Sequence, residues 1–367
     1  MTPQNPKAQA QNLTPTAIQS AHTLIKPHIH QTPLLTSKTL NKLASTSQPD
    51  IADAAKPTLR FFFKCENYQR IGAFKARGAF HALLRLLERR GEEVVRRCGV
   101  VTHSSGNHAQ ALALAASTLN IPAYIVMPRI STVSKIEGTR SQGAEIVFSG
   151  STAPEREAVV REVQARTGAI LVPPYDDFDV ICGQGTTGLE LEAQYEALVN
   201  GEGGKRELDA VITPVGGGGL NAGVASYFSG KRTRVFGAEP SFEGADDCRR
   251  GLASEGRERV ESVKSLTIAD GLRTPVGVLN WEVLSDPRKV AGVYAVTEEQ
   301  IKAAMRLVLE RMKVVVESSA VVGLAVCLYN EEFRAMVERE AGSAGWDVGV
   351  VFSGGNTTVE AIGKLFS

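Results

Sequence analysis

The chain has 367 residues, 43% of them hydrophobic, which is enough for two domains or for one large α/β unit with a substantial core. Its 41 basic and 40 acidic residues leave a formal charge of +1, so the charge balance gives no indication of binding to nucleic acid or to an acidic membrane. The five cysteines are scattered, and no apolar run has the length of a membrane span or the position of a signal core. We therefore expect a cytoplasmic protein without disulfides or a zinc site.

The N-terminal segment combines polar composition with the first helix signals. Residues 1–13 are rich in Gln, Asn and Pro, which predicts a disordered arm. A helix is predicted over 17–25, because Thr14 is a suitable N-cap and Pro15 suits the first helical position. A second helix is predicted near 37–45, and the polar stretch 46–57 indicates an inserted loop.

Lys75 lies where a predicted strand and loop change into a predicted helix. The apolar run 59–63 indicates the end of a buried strand, and apolar residues at helical spacing follow from Phe80. Gly72 and Gly78 flank the lysine and would allow the backbone to approach a ligand closely. A lysine in this position can form a Schiff base with a carbonyl cofactor. The ordinary alternative is a solvated lysine in the first turn of a helix.

Strands and helices alternate from residue 98 onward. The alternation predicts a parallel sheet covered by helices on both faces. Strands are predicted at 98–102, 121–128, 145–148, 169–172, 209–215, 235–239 and 348–352, with helices near 133–141, 154–167, 184–200 and 298–311.

Three of these strands end in turns whose residues could bind a ligand or take part in catalysis. Ser104 to His108 lies at a strand-to-helix turn, where an ordinary helix cap is the alternative. Gly216 to Gly219 lets consecutive N–H groups converge on an anion at the start of a helix, although four glycines can also be a flexible turn. That run fits neither nucleotide-binding glycine pattern. Ser353 begins a Ser-Gly-Gly-Asn turn after the last strand.

An acidic loop follows the strand at 235–239. It contains Glu239, Asp246 and Asp247, and carboxylates with carbonyl oxygens are the ligands that hard cations prefer. A solvated acidic turn is the alternative.

These motifs together resemble a known family. Gly-Ala-Phe-Lys-Ala-Arg-Gly-Ala at 72–79 and Pro-Val-Gly-Gly-Gly-Gly-Leu at 214–220 are similar to the lysine motif and the phosphate loop of the fold type II pyridoxal-phosphate enzymes. Within that family, the chain looks most like the serine racemases and the serine/threonine dehydratases. The resemblance implies an α/β fold of two parallel-sheet domains with the cofactor in the cleft. The large domain would be 1–97 plus 177–367, and the small, mobile domain 98–176. Ala73 stands where the family usually has serine.

The resemblance also implies roles for particular residues. The implied cofactor-binding residues are Phe74, Lys75, Asn107, Gly216, Gly217, Gly218, Gly219 and Ser353. The implied substrate-binding residues are Ser104, Ser105, Asn107, His108, Arg156 and Thr274. The implied ligands of Mg²⁺, or of Ca²⁺ or Mn²⁺, are Glu239, the carbonyl of Ala245 and Asp247. The metal loop is two residues longer here than in serine racemases.

The implied reaction begins when Lys75 removes the Cα proton of serine. Return of a proton by Ser105 on the opposite face would give D-serine, and loss of the β-hydroxyl would give pyruvate and ammonia. Dehydration of L-threonine or 3-hydroxyaspartate without racemisation is the close alternative. A non-catalytic protein that binds pyridoxal phosphate or senses a nucleotide is the alternative from another class. A homodimer is expected, and an ATP effector stays open.

Overall fold

The computed structural model describes residues 5–49, 51–104, 106–199 and 207–367. The strands are β1 (Leu34–Leu35), β2 (Leu59–Cys65), β3 (Val100–His103), β4 (Ala123–Pro128), β5 (Glu145–Ser149), β6 (Ile170–Leu171), β7 (Ala210–Pro214), β8 (Arg234–Pro240), β9 (Gly292–Val296) and β10 (Trp346–Phe352). The helices are α1 (Pro6–Asn12), α2 (Pro15–Ile25), α3 (Lys38–Ala44), α4 (Lys75–Arg90), α5 (Glu92–Cys98), α6 (Asn107–Thr118), α7 (Val133–Arg140), α8 (Ala153–Thr167), α9 (Phe178–Val199), α10 (Gly219–Tyr227), α11 (Asp247–Ala253), α12 (Val278–Leu284), α13 (Glu298–Leu307), α14 (Val322–Tyr329), α15 (Glu331–Ala341) and α16 (Val359–Phe366).

The larger sheet has the strand order β1-β2-β10-β7-β8-β9. β1 is antiparallel to β2, and the other neighbours are parallel. Trp346 pairs with Leu59 and Val348 pairs with Ala210, so β10 lies between β2 and β7. Every residue of β7 and β10 is buried, as is typical of parallel strands with helices on both faces.

The smaller sheet is parallel throughout, with the order β5-β4-β3-β6. Its strands alternate their side chains between two apolar clusters. Val100 packs with Leu112 of α6 on one face, and Val101 packs with Val160 of α8 on the other. The prediction of parallel sheets covered by helices is therefore confirmed. All four strands of this sheet lie within residues 98–176.

Close helix packing fixes the helix that begins with Lys75. α9 contacts both α4 and α10 along its length. A Cβ built on Gly183 of α9 would be 2.6 Å from the carbonyl oxygen of Arg77 in α4, and one built on Gly223 of α10 would be 2.5 Å from the carbonyl oxygen of Ile181. The backbones can approach this closely only because glycine carries no side chain. α4 is thus held rigidly against the larger sheet's helical layer.

The prediction of a disordered arm over 1–13 does not hold for residues 5–13. These residues include α1, which begins with Pro6 and is capped by the Asn5 side chain, an acceptor for the N–H of Lys7 at 3.0 Å. Ala10 and Leu13 are buried in a cluster with residues of α12. Two apolar side chains and a good cap therefore outweigh the polar composition. Residues 1–4 lie outside the described residues.

The structure also differs from the sequence prediction in helix bounds and in elements that the prediction lacked. α9 begins at Phe178, earlier than the predicted 184, and α13 gives way to a π-turn at Val308–Met312. Several elements were not predicted, among them β1, β9, α11, α12, α14, α15 and α16. Among the helices in the described parts of the chain, none combines the length and apolar character needed to cross a membrane.

Candidate active site

A cavity of about 650 Å³ is lined by residues of both sheets' connecting segments. It lies at the carboxyl ends of parallel strands, where ligands of α/β proteins commonly bind. The predicted site residues that line it are Phe74, Lys75, Ser104, Asn107, His108, Arg156, Gly216, Gly217, Gly218, Gly219, Thr274 and Ser353. Ser105 lies outside the described residues. Glu239, Ala245 and Asp247 are absent from the lining.

Lys75 is placed beside the end of β10. The N–H of Phe74 donates to the carbonyl oxygen of Ser353 at 3.0 Å, and Ala73 forms a β-bridge with Gly354. The Lys75 amine donates to the carbonyl oxygen of Pro174 at 2.6 Å. Burial lowers the pKa of this amine to about 8, because a charged ammonium is poorly solvated there. The site therefore holds a lysine that can lose its proton near neutral pH.

A buried ion network supports the first turn of α4. Arg77 donates to Glu66 at 2.7 and 2.8 Å and to Glu190 at 2.7 and 2.9 Å. Lys64 donates to Glu190 at 2.7 Å. All four side chains are buried, so each charge depends on its partners rather than on water. The network joins β2 and α9 to the turn that carries Lys75.

The glycine loop continues from β7 into α10. Gly218 has a φ of +91°, which favours glycine, and it caps α10. A Cβ on Gly216 would be 2.9 Å from the Cα of Leu272, so the loop is closely surrounded. Asn280 holds the loop by donating to the carbonyl oxygen of Gly217 at 2.6 Å. Free N–H groups at the start of a helix suit a phosphate.

The Ser104–His108 turn leads into α6. The N–H of Gly106 donates to the Ser104 hydroxyl at 3.3 Å. His108 is buried, and its Nε2 lies 3.2 Å from the carbonyl oxygen of Val172. Burial, with a smaller contribution from the Lys75 charge, lowers the pKa of His108 to about 3. His108 is therefore neutral at physiological pH and presents no cationic charge to a carboxylate.

Glu317 is a cavity residue that the sequence reasoning missed. Its carboxylate accepts from the Asn107 amide at 3.0 and 3.3 Å and from the N–H of Asn356 at 3.2 Å. Burial, with a smaller contribution from Asp270, raises the pKa of Glu317 to about 8. The only local signal was an acidic residue directly after the apolar run Val314–Val316.

The cavity wall also carries the polar side chains of Lys135, Arg156, Asp270 and Thr274. Lys135 of α7 and Asp270 form an ion pair at 2.8 Å, which links the small sheet's helical layer to the segment before α12. Arg156 donates to the carbonyl oxygen of Ser151 at 2.6 Å. Thr274 is exposed at the mouth. Lys135 and Asp270 were not predicted as site residues, because neither belongs to a local motif with a ligand signature.

The acidic loop forms a separate polar site. Glu239 lies at the carboxyl end of β8. Its carboxylate accepts from the N–H groups of Cys248 and Arg249 at 3.0 and 2.9 Å. Asp247 accepts from the N–H of Val276 at 3.0 Å, and its other oxygen, Oδ1, is buried without a hydrogen-bond partner. Burial raises the pKa of Asp247 to about 6, and burial with the Asp247 charge raises the pKa of Glu239. In the parts of the chain that the structure describes, no three His, Cys, Asp or Glu side chains form a metal-binding group.

Comparisons with known proteins agree with this geometry. The family model described as "Pyridoxal-phosphate dependent enzyme" matches residues 25–354. The serine racemase of Dictyostelium discoideum is 38% identical over 352 residues, which cover 95% of this chain and 97% of that relative. The beta-hydroxyaspartate dehydratase of Paracoccus denitrificans is 37% identical and covers 94% of this chain and 96% of its own length. The crystal structure of the Dictyostelium serine racemase superimposes with a TM-score of 0.79 at 37% identity, over 94% of this chain and 99% of that one.

Proposed function

The chain belongs to the pyridoxal-phosphate dependent enzyme family, and from that membership we propose that it is a serine racemase that also dehydrates serine to pyruvate and ammonia. The observation that carries this proposal is the Lys75 amine, which lines the cavity and has a pKa lowered to about 8. Such an amine is partly neutral near pH 7 and can take a proton from an amino acid. The relative named serine racemase supports serine as the substrate.

The residues present fit a cofactor that combines an aldehyde with a phosphate. When bound, pyridoxal phosphate supplies an electron-withdrawing ring that makes the Cα proton of an amino acid removable. Lys75 presents the amine for the aldehyde, and the close-fitting glycine loop presents N–H groups for the phosphate. The residues that would hold the group are Phe74, Lys75, Asn107, Gly216, Gly217, Gly218, Gly219 and Ser353. The Ser353 hydroxyl would bond the ring nitrogen without the charge that an aspartate would bring.

The reaction requires one proton to leave Cα and, for racemisation, another to return on the opposite face. Lys75 is the base for the first step, since its amine is held at a fixed position by Pro174. Ser105 is our candidate for the second step, and its neighbours Ser104 and Gly106 line the cavity. Loss of the β-hydroxyl after the first step leads to pyruvate and ammonia instead. Ser104, Asn107 and His108 are the proposed binding groups for the substrate carboxylate.

A second candidate function is dehydration of an acidic hydroxy amino acid such as 3-hydroxyaspartate, with L-threonine as the neutral variant. The cavity wall carries the cationic side chains of Lys135 and Arg156, which suit a second carboxylate. The Paracoccus relative named beta-hydroxyaspartate dehydratase supports this candidate. The remaining alternative is a non-catalytic protein that binds the cofactor or senses a nucleotide, and it differs from the other two in predicting no turnover.

The acidic loop is our proposed site for Mg²⁺, or for Ca²⁺ or Mn²⁺. The buried and unpartnered Oδ1 of Asp247 is an oxygen that a cation would satisfy. Glu239 and the Ala245 carbonyl would complete the protein ligands, although both Glu239 oxygens already accept N–H groups. Such a site would act by stabilising α11 rather than by contacting substrate.

We further propose that residues 98–176 form a mobile domain against 1–97 and 177–367, and that closure of the cavity excludes water. The Lys135–Asp270 pair would then form on closure, since Asp270 lies outside residues 98–176. We also propose that the protein forms a homodimer, that ATP can act as an effector and that the protein is cytoplasmic.

The test is to incubate the purified protein with L-serine and Mg²⁺ and to quantify pyruvate and D-serine together. Both products are expected. Pyruvate alone would make the protein a dehydratase without racemase activity. If neither product forms, 3-hydroxyaspartate and L-threonine are the next substrates, and failure with both would favour the non-catalytic alternative.

A further inference from the structure

The Tyr175 ring lies directly on the glycine loop. Tyr175 belongs to the segment that joins β6 to α9. A Cβ built on Gly217 would be 2.4 Å from the Tyr175 ring atoms, and the three nearest atoms are all ring atoms. A Cβ built on Gly219 would instead meet the Tyr175 carbonyl oxygen at 3.0 Å and its Cβ at 3.2 Å. The ring and the backbone of one residue therefore cover two glycines of the loop.

Backbone conformation does not explain glycine at these two positions. Gly218 has a positive φ, but Gly217 and Gly219 do not. A positive φ is therefore not the reason for glycine at position 217. The space taken by the Tyr175 ring is therefore the reason that position 217 requires glycine.

Hydrogen bonds hold Tyr175 in register with the loop. The buried Asn280 amide donates to the carbonyl oxygen of Tyr175 at 3.2 Å and to that of Gly217 at 2.6 Å. The next residue, Asp176, accepts from the N–H groups at the start of α12, including that of Leu279 at 2.9 Å. Tyr175 is thus anchored through its own backbone and through its neighbour in the chain.

We propose that Tyr175 is a positioning residue for the cofactor phosphate, because its ring forms the wall that sets the glycine loop and excludes water from Gly217. This inference rests on the proposed role of the glycine loop as the phosphate site. N–H groups that are fixed and shielded from water bind an anion more strongly than the same groups in a solvated turn.

The experiment titrates the apoenzyme with pyridoxal phosphate and measures the dissociation constant from the absorbance of the bound chromophore. Tyr175→Ala and Gly217→Ala are each expected to weaken binding about tenfold, the first by loss of the wall and the second by collision with the ring. In the Tyr175→Ala background, Gly217→Ala should change the constant by less than about twofold, because the colliding ring is gone. Additive effects of the two changes would overturn the inference.

Gly219→Ala is the matched control. Its collision involves the carbonyl oxygen and Cβ of residue 175, which alanine retains, so its weakening of binding should persist in the Tyr175→Ala background. Tyr175→Phe keeps the ring, and Gly217→Ala should remain damaging beside it. If the Gly217→Ala apoenzyme fails to fold, the inference is tested by comparing the dissociation constants of Tyr175→Ala and Tyr175→Phe. Equal weakening of cofactor binding in these two variants would contradict a role for the ring.

The readout needs no turnover, so the inference and the proposed function can fail separately. Wild-type protein that binds the cofactor and forms neither product from serine would contradict only the proposed activity. Wild-type protein that forms both products while the two substitutions act additively would contradict only the role of Tyr175.

Discussion

The amine nitrogen of Lys75 lies 2.6 Å from the carbonyl oxygen of Pro174, in the segment that leaves the small sheet. The contact links Lys75, the proposed general base at the start of α4, to the segment that also carries Tyr175. The carbonyl orients the amine, while burial lowers its pKa to about 8. The amine proposed to act as the base and the segment between β6 and α9 are therefore in direct contact.

The first prediction concerns pH. A neutral amine is needed to accept the Cα proton, so kcat should rise with pH around a midpoint of about 8, well below the ordinary lysine value of 10.5. Initial rates of pyruvate formation across that range provide the measurement, and Lys75→Ala should abolish them. Lys135→Gln removes a different cavity lysine and should leave the midpoint in place. A midpoint near 10.5 would contradict the assignment of Lys75 as the base.

The second prediction separates the two products. Ser105→Ala should reduce D-serine formation by about a hundredfold or more, the usual contribution of a general acid, while pyruvate formation falls far less. Both products are quantified from one incubation with L-serine. Ser104→Ala is the control, since loss of a carboxylate-binding group should lower both products together. Equal loss of both products in Ser105→Ala would make Ser105 a binding residue.

The third prediction concerns the ion network below Lys75. Arg77→Ala leaves the carboxylates of Glu66 and Glu190 buried without their main partner, so the free energy of unfolding should fall by about 3–5 kcal/mol. Urea denaturation measures the loss. Arg96→Ala removes an exposed pair with Glu92 and should cost less than about 1 kcal/mol. Similar losses for the two variants would show that the network does not stabilise the fold.

The fourth prediction follows from Glu317. Folding raises its pKa from the ordinary value of 4.5 to about 8, so the folded protein keeps a proton that the unfolded chain loses in this window. The stability provided by that proton is complete below pH 4.5 and is lost as pH rises through about 8. Glu317→Gln cannot lose a proton, so the unfolding free energy of its apoenzyme should fall less steeply between these pH values. Equal slopes in the two proteins would contradict the raised pKa.

The fifth prediction tests the metal site. Mg²⁺ that binds the folded protein alone should raise the melting temperature of the wild type, and EDTA should reverse the rise. Asp247→Asn should abolish this response, because it removes the charge beside the unpartnered oxygen. Asp246→Asn changes a neighbouring carboxylate that pairs with Arg250, and it should respond to Mg²⁺ as the wild type does. A full response in Asp247→Asn would place the cation elsewhere.

The sequence predicted best those features that local residues determine. The glycine loop, the turn before α6 and the strand ends at β7, β8 and β10 were predicted because each depends on consecutive residues. α14 was missed because it is buried on all sides, so its apolar residues show no helical period. Glu317, Lys135 and Tyr175 were missed because distant segments bring them to the cavity. Nothing in their own neighbourhoods indicates those contacts.

The position of β10 has a consequence for biosynthesis. This strand comes from the C-terminal end of the described chain, yet it fills the gap between β2 and β7 in the larger sheet. Until the ribosome has released it, β2 and β7 each expose an unpaired apolar edge, and Ser353 cannot meet Phe74. The smaller sheet is complete once β6 has emerged and can fold while translation continues. A nascent chain therefore cannot complete its cofactor site before β10 has emerged, and its greatest need for a chaperone falls in the interval just before that.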